Sequence, residues 1–278
     1  MSQEQLENQR RWDQYGSDWS KDIENNPEQH LISECPSPLA HKAGYGRLKR
    51  ILSPMRGKKM LELGCGPGNF SVWLAKQGAD VSAIDIGPEI VKAANRLAKI
   101  NCANCEFSQG DMKSLDFDNS TYDAVIGLMV LHHLSEANVV KTLQECHRIL
   151  RPGGVAVFYE PVENSKSFNL IQNLIPVGKK GSHKYRPSIL QRRAWAEYVQ
   201  TLDDRTMTSR EFILGGEGLF QETCISPYGF LVRLRKLLGF RSLSILISLD
   251  KILFRLLPPL RHFCQTVLVE YKKGEDLS

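Results

Sequence analysis

Between positions 62 and 68 the chain reads Glu-Leu-Gly-Cys-Gly-Pro-Gly, with Gly64, Gly66 and Gly68 at alternate positions. Glycine lets a backbone turn sharply and approach a ligand with no Cβ in the way. A helix starting directly afterwards would add unpaired N–H groups and the positive end of its dipole. The spacing is G-x-G-x-G. The dinucleotide fingerprint asks for glycine at 69, where Asn69 stands. Asp85 follows Gly64 by 21 residues (85 less 64). An acid about 20 residues on, at a strand end, accepts hydrogen bonds from ribose hydroxyls. Asp111, in Gly110-Asp111-Met112, can accept from an exocyclic amine such as that of adenine. His132 and His133 follow an apolar run, and histidine has the pKa of a general base near neutrality. His133 is the preferred base and His132 the second. Glu160 ends another apolar run and either contacts an acceptor or caps the next loop. His183 ranks below these, and His147 is read as structural. Cys102-x-x-Cys105 lacks a second pair and is assigned no metal.

These groups need elements to carry them. Residues 58–64 form a short apolar run ending in glycine, as a buried parallel strand does. A helix over 69–77 places Phe70, Trp73 and Leu74 on one face, with Gly78 as its stop. Strands are predicted at 81–85, 105–109, 122–128 and 155–159. Helices are predicted after Pro88 and from Ser135 to Ile149. Strands alternating with helices over roughly a hundred residues argue a doubly wound parallel sheet. Asp85, Asp111 and the histidines then fall at successive strand ends, where open α/β sheets bind ligands. Further on, a helix at 209–214 and strands at 220–226 and 265–271 return to the core.

With those residues in that order, the sequence resembles the class I S-adenosylmethionine-dependent methyltransferases. The likeness is close over about 46–161 and looser over 207–227 and 263–273. It rests on the run from Glu62 to Gly68, Asp85, Gly110-Asp111, Asp123-Ala124-Val125 and Leu150-Arg151-Pro152-Gly153-Gly154. Leu131-His132-His133-Leu134 is similar to small-molecule members, including those of quinone biosynthesis. Gly127-Leu128-Met129-Val130 stands where DNA amino-methyltransferases carry an N-P-P-Y-like run. The resemblance implies an α/β, Rossmann-like seven-stranded sheet, mostly parallel with an antiparallel last strand. It implies S-adenosylmethionine as cofactor. Gly64, Gly66 and Gly68 would flank its methionine part, and Glu62 and Cys65 belong to the same run. Asp85 would hold ribose with Ile86 beside it, Asp111 and Met112 would face adenine, and Leu128 would offer backbone to the amino acid portion. Tyr15 is the candidate for an N-terminal aromatic covering the cofactor.

The chain has 278 residues, with 42% hydrophobic and 24% charged residues. That supports a sizeable core without disulfide or metal staples and excludes a disordered or collagen-like chain. The N-terminus lacks an apolar leader, and the seven cysteines are an odd number. Reduced thiols in the cytoplasm are the expectation. The expected organisation is an N-terminal helical lid (1–45), the cofactor-binding core (46–161), a basic insertion or lid (162–206), a core helix and strand (207–227), a basic amphipathic insertion (228–262) and the last strand with its tail (263–278).

Charge concentrates in the two insertions. Residues 228–262 hold seven basic residues and Asp250 alone as an acid, a net of +6. Residues 162–206 hold eight basic and four acidic residues, a net of +4. In 243–257, Ser244, Ser248, Lys251 and Arg255 recur at helical steps, with Leu246, Leu249, Leu253 and Leu256 as the opposite stripe. Such a segment lines a pocket, lies on an anionic membrane, or forms a homodimer interface. The expected function is methyl transfer, O-methylation first, to a small apolar or amphipathic and in one version anionic acceptor. The alternatives are RNA methylation and a non-catalytic S-adenosylmethionine-binding module. No aromatic-basic platform favours a nucleic-acid partner.

Overall fold

In the computed structural model the described residues are 3–36, 42–163, 165, 174, 188–194, 207–234 and 243–275. The segment 179–186, read as a lid, and His183 lie outside them.

Helices α1 (Gln3–Asn25) and α2 (Lys42–Leu52) precede the sheet. There follow β1 (Lys59–Leu63), α3 (Asn69–Lys76), β2 (Asp80–Asp85), α4 (Pro88–Ile100), β3 (Cys105–Gln109), β4 (Tyr122–Leu128), α5 (Glu136–Ile149) and β5 (Leu150–Pro161). The chain closes with α6 (Ser209–Gly216), β6 (Glu222–Tyr228), α7 (Leu243–Leu256) and β7 (Thr266–Lys272). The seven strands lie in the order β3-β2-β1-β4-β5-β7-β6. Neighbours from β3 to β5 pair in parallel, and β7 runs antiparallel to both β5 and β6. The order reverses between β1 and β4, which makes that edge a topological switch point.

The period of two in the strands builds two cores. Leu61, Leu63, Val125 and Phe158 point to one face, against α5 and α6 through Val139, Leu143, Cys146 and Phe212. Met60, Ala124, Ile126 and Val157 point to the other, against Leu48, Phe70, Trp73 and Leu97 of α2, α3 and α4. Burial on both faces is why the central strands read as unbroken apolar runs. α4 starts with Pro88 at its first turn and buries Ile90, Ala93, Ala94 and Leu97. α6 is fixed by a capping box between Thr208 and Glu211.

Two expectations are corrected. The fifth strand begins at Leu150, not 155, because Leu150 pairs with Tyr122 across a bulge that carries Arg151 to Gly154. In α7 the inward side is Leu243, Leu246, Asp250 and Phe254, while Leu249 and Leu256 face solvent, so the four leucines expected to form one stripe do not share one environment. The cause is Asp250. Its carboxylate accepts from the backbone N–H groups of Phe230 (2.9 Å), Leu231 (2.6 Å) and Val232 (3.3 Å). A buried carboxylate without those donors would be costly, so it sets the rotation of the helix.

Candidate functional site

A cavity of about 910 Å³ opens at the C-terminal ends of β1 to β4, at the switch point of the sheet. Gly66 forms part of its floor. Its φ is +53°, and a Cβ there would meet no atom within 4 Å, so bare backbone faces open space. Gly68 is different. It is the N-cap of α3, and a Cβ would strike Phe107 and Ala94. Its role is to pack the helix against β3 and α4.

Three acids stand around this floor. Asp85 is 8% exposed at the end of β2. It accepts from Gly66 N (2.9 Å) and Gly87 N (3.2 Å), and so ties the glycine turn to the next strand. Burial raises its carboxyl above the ordinary range against the pull of these backbone donors. Glu62 is buried on β1 and accepts from the Ser71 hydroxyl. Burial, with Asp85 adding to it, pushes Glu62 up to about 8 despite that hydrogen bond. Asp111 accepts from Lys113 N (3.0 Å) and pairs with Lys113 Nζ (3.1 Å) at the end of β3.

The opposite wall follows β4. Met129 adopts φ +60°, a left-handed conformation that a non-glycine residue reaches only when its surroundings impose it. The turn aims the N–H groups of Val130 and Leu131 at Glu160 Oε1, at 2.8 and 2.9 Å. Glu160 Oε2 lies 2.8 Å from His132 Nδ1. Glu160 and His132 are both buried, and neither lines the cavity. His133 does line it, its ring 4.1 Å from that of His132 and 5.6 Å from that of Trp12.

The roof is α1. Trp12, Tyr15 and Trp19 line the cavity and meet edge to face at 5.8 and 6.2 Å, with Tyr45 and Phe70 further in. Gly16 lets α1 come this close: a Cβ there would fall on the backbone nitrogen of Ile90. Asp13 Oδ1 accepts from Glu89 N (3.2 Å) in the first turn of α4, a favourable end of the helix for an anion.

Residues 60–154 match a family model described as a methyltransferase domain. The chain is 27% identical to a ubiquinone biosynthesis O-methyltransferase of Methylocella silvestris, over 78% of this chain and 90% of that one. These findings support a class I S-adenosylmethionine-dependent methyltransferase. Two other relatives match over shorter stretches. A ubiquinone biosynthesis O-methyltransferase of Coxiella burnetii is 29% identical over 51% of this chain and 63% of its own length. An uncharacterised methyltransferase of Synechocystis is 37% identical over 36% of this chain and 45% of its own length. In fold, the methyltransferase is similar to phosphoethanolamine N-methyltransferase 2 of Haemonchus contortus, in complex with S-adenosyl-L-methionine. That match has a TM-score of 0.58 and 17% identity, over 92% of this chain and 60% of that one. It is also similar to geranyl diphosphate C-methyltransferase of Streptomyces coelicolor, with TM-score 0.55 and 14% identity over 84% and 80%.

Of the cofactor-site candidates, Tyr15, Glu62, Gly64, Cys65, Gly66, Asp85, Ile86, Asp111, Met112 and Leu128 all line the cavity; Gly68 stands behind it. Of the three catalytic candidates, only His133 does. His132 and Glu160 move from the acceptor to the frame that holds the loop. Sequence reasoning did not assign Trp12, Tyr45, Phe70, Lys113 or Met129 to the site. Aromatics spaced along an N-terminal helix signal a buried face, and their position over the sheet depends on the close approach at Gly16.

Proposed function

We propose that this methyltransferase transfers a methyl group to a hydroxyl of a small, apolar, ring-bearing acceptor of the quinone-precursor type. The observation that carries the reading is His133 beside an aromatic wall in the same cavity as the glycine turn and the strand-end acids. The O-methyltransferase names of the relatives support the choice of atom. At about 910 Å³ the cavity is near the upper end of small-molecule sites, roughly 300–1,000 Å³, so cofactor and acceptor fit together.

The residues present fit S-adenosylmethionine. Gly66 offers bare backbone, Asp85 a carboxylate for ribose hydroxyls, Ile86 and Met112 apolar contact for adenine, and Glu62 a carboxyl for the ammonium of the amino acid portion. When bound, the cofactor supplies a methyl group already activated on a sulfonium. The chain's own residues position and shield. α1 covers the cavity with Trp12, Tyr15 and Trp19 and keeps water from the reacting atoms. Holding two reactants in line is worth roughly 7–11 kcal/mol. His133 accepts the hydroxyl proton of the acceptor, a contribution of about 10²–10⁴-fold.

His133→Ala is therefore expected to lower turnover at least tenfold while leaving the cofactor dissociation constant nearly unchanged. The assay pairs S-adenosylmethionine with a polyprenylated catechol, its di-O-methylated counterpart and a short RNA. Product from the catechol alone supports the reading. Normal turnover by the variant removes the histidine from the chemistry, and product from RNA overturns the acceptor class.

A second expectation concerns pH. With its carboxyl raised to about 8, Glu62 is mostly protonated in the free protein at neutrality. An ammonium placed beside it favours the carboxylate, so cofactor binding releases a proton below that pH. Affinity should rise with pH, by up to about tenfold per unit for one proton, and level off above about 8. In the free protein the sign is reversed. A carboxyl raised on folding gives a stability contribution that is full below the ordinary value of 4.5 and is lost as pH rises to about 8. Calorimetry in buffers of different ionisation enthalpy counts the proton, and Glu62→Gln should abolish both slopes. An affinity independent of pH between about 6 and about 8, the upper part of the span from 4.5 to about 8, would show that no ammonium reaches Glu62.

A further inference from the structure

The outward face of α7 carries Ile245, Leu249, Ile252 and Leu256, at successive steps of four, three and four residues along the helix. They are 63%, 42%, 52% and 69% exposed. Residues at such steps share one side of a helix, so these four form a continuous apolar strip. The buried side of the same helix already meets the protein through Leu243, Leu246 and Phe254. The strip is thus a second apolar face, on the side not used for folding. Ser244, Ser248, Lys251 and Arg255 run along its border, all exposed.

Charge selects what covers it. In 243–263 the sole acid is Asp250, which is 4% exposed and holds three backbone N–H groups. Every exposed charge there is a cation: Lys251, Arg255 and Arg261, with His262 beside them. Leu257, 53% exposed, carries the apolar run into Pro258 and Pro259. These prolines line a second cavity, of about 510 Å³, together with Arg210, Arg261 and His262. An apolar strip bordered by cations and ending at a cation-lined hollow matches a bilayer surface with anionic headgroups. Pairing the strip with a second copy would leave Lys251 and Arg255 facing a surface that offers no exposed acid from this segment.

We propose that α7 docks the enzyme on an anionic lipid surface, with Ile245, Leu249, Ile252 and Leu256 entering the headgroup–acyl boundary and Lys251, Arg255 and Arg261 meeting lipid phosphates. α7 thus has a core-facing side, with Leu243, Leu246 and Phe254, and a side available to lipid. The inference stands whichever acceptor the enzyme uses.

The test is flotation of the full chain with phosphatidylcholine vesicles, with and without phosphatidylglycerol. The protein should float with the anionic vesicles at low salt, stay behind with neutral ones, and be released near 0.5 M salt, on order-of-magnitude screening grounds. Lys251→Gln with Arg255→Gln should weaken partition about thirtyfold, from about 1 kcal/mol per cation at the surface. Ile252→Gln with Leu256→Gln should weaken it at least tenfold. Both pairs replace exposed side chains, so unfolding temperature and S-adenosylmethionine affinity should match the parent protein. Absence of flotation with every vesicle overturns the proposal, as does equal partition by the Ile252/Leu256 variant. A concentration-dependent dimer that this variant dissolves would assign the strip to a second copy and overturn it as well.

Discussion

Replacing Asp85 with alanine should weaken S-adenosylmethionine binding at least about seventyfold, more than a single ribose hydrogen bond at the low end of its range would explain. The carboxylate has two tasks. In the free protein its Oδ2 receives the N–H of Gly66 and its Oδ1 that of Gly87, so it fixes the turn whose bare backbone faces the cavity. In the complex it would also accept from ribose. A hydrogen bond to a charged group is worth about 1.5–3 kcal/mol, and a donor left without a partner adds about 1–3 kcal/mol. The first alone gives a factor of about ten or more, the second about five or more, and the two together about seventyfold or more. Asp85→Asn keeps one oxygen able to accept, so its loss should be nearer tenfold. Titration calorimetry of both variants with S-adenosylmethionine and with NADH measures this. An unchanged affinity for the alanine variant would place the ribose elsewhere. Tight NADH binding by the parent protein would mean that the G-x-G-x-G turn serves a dinucleotide rather than a methyl donor.

The glycine turn and Asp85 were legible in the sequence because their residue types are dictated by local geometry. A strand that enters the core on both faces must be apolar throughout, and a turn that admits a ligand must shed its side chains. Leu61, Leu63, Gly64 and Gly66 satisfy both demands in six positions. For the histidines the sequence ranked His133 first as the base without a local pattern to separate the two rings. Nothing in Leu131-His132-His133-Leu134 distinguishes the ring facing Glu160 from the ring facing the cavity. That choice is made by Met129, whose left-handed backbone turns the loop, and no glycine or asparagine announces it. α7 was opaque for a related reason. Its leucines and isoleucines cover more than half of the helix circumference, so periodicity alone allows several buried faces. The single acid decides. Asp250 is anchored by the amides of Phe230 to Val232, which lie 18 to 20 residues away in the chain. Long-range hydrogen bonds of this kind leave no periodic trace.

The largest effect on stability is expected at Glu160. This carboxylate is fully buried, and its two oxygens serve three donors or partners: Val130 N at 2.8 Å, Leu131 N at 2.9 Å and His132 Nδ1 at 2.8 Å. All three belong to the loop that follows β4, whereas Glu160 sits on β5, whose pairing with β4 and β7 fixes it. The carboxylate is thus the peg on which the His133 loop hangs. Glu160→Ala removes the peg and leaves two amides and a ring nitrogen in a dry interior. Breaking a buried polar set from one side costs about 3–5 kcal/mol. Glu160→Gln keeps an oxygen for the two amides, and its amide group can donate to the His132 ring in its other tautomer, so the cost should be nearer 1 kcal/mol. Denaturant unfolding separates the two variants. Kinetics then test the consequence for chemistry, since Glu160 acts on the acceptor only through the loop. The glutamine variant should retain the parent's cofactor affinity and pH profile with a modest fall in kcat, because His133 still reaches the cavity. The alanine variant, assayed below its unfolding midpoint, should lose turnover at least as severely as His133→Ala, and adding that substitution should cost little more, because the loop that presents the ring is already displaced. Additive losses in the double variant would mean that Glu160 contributes to the reaction independently of His133.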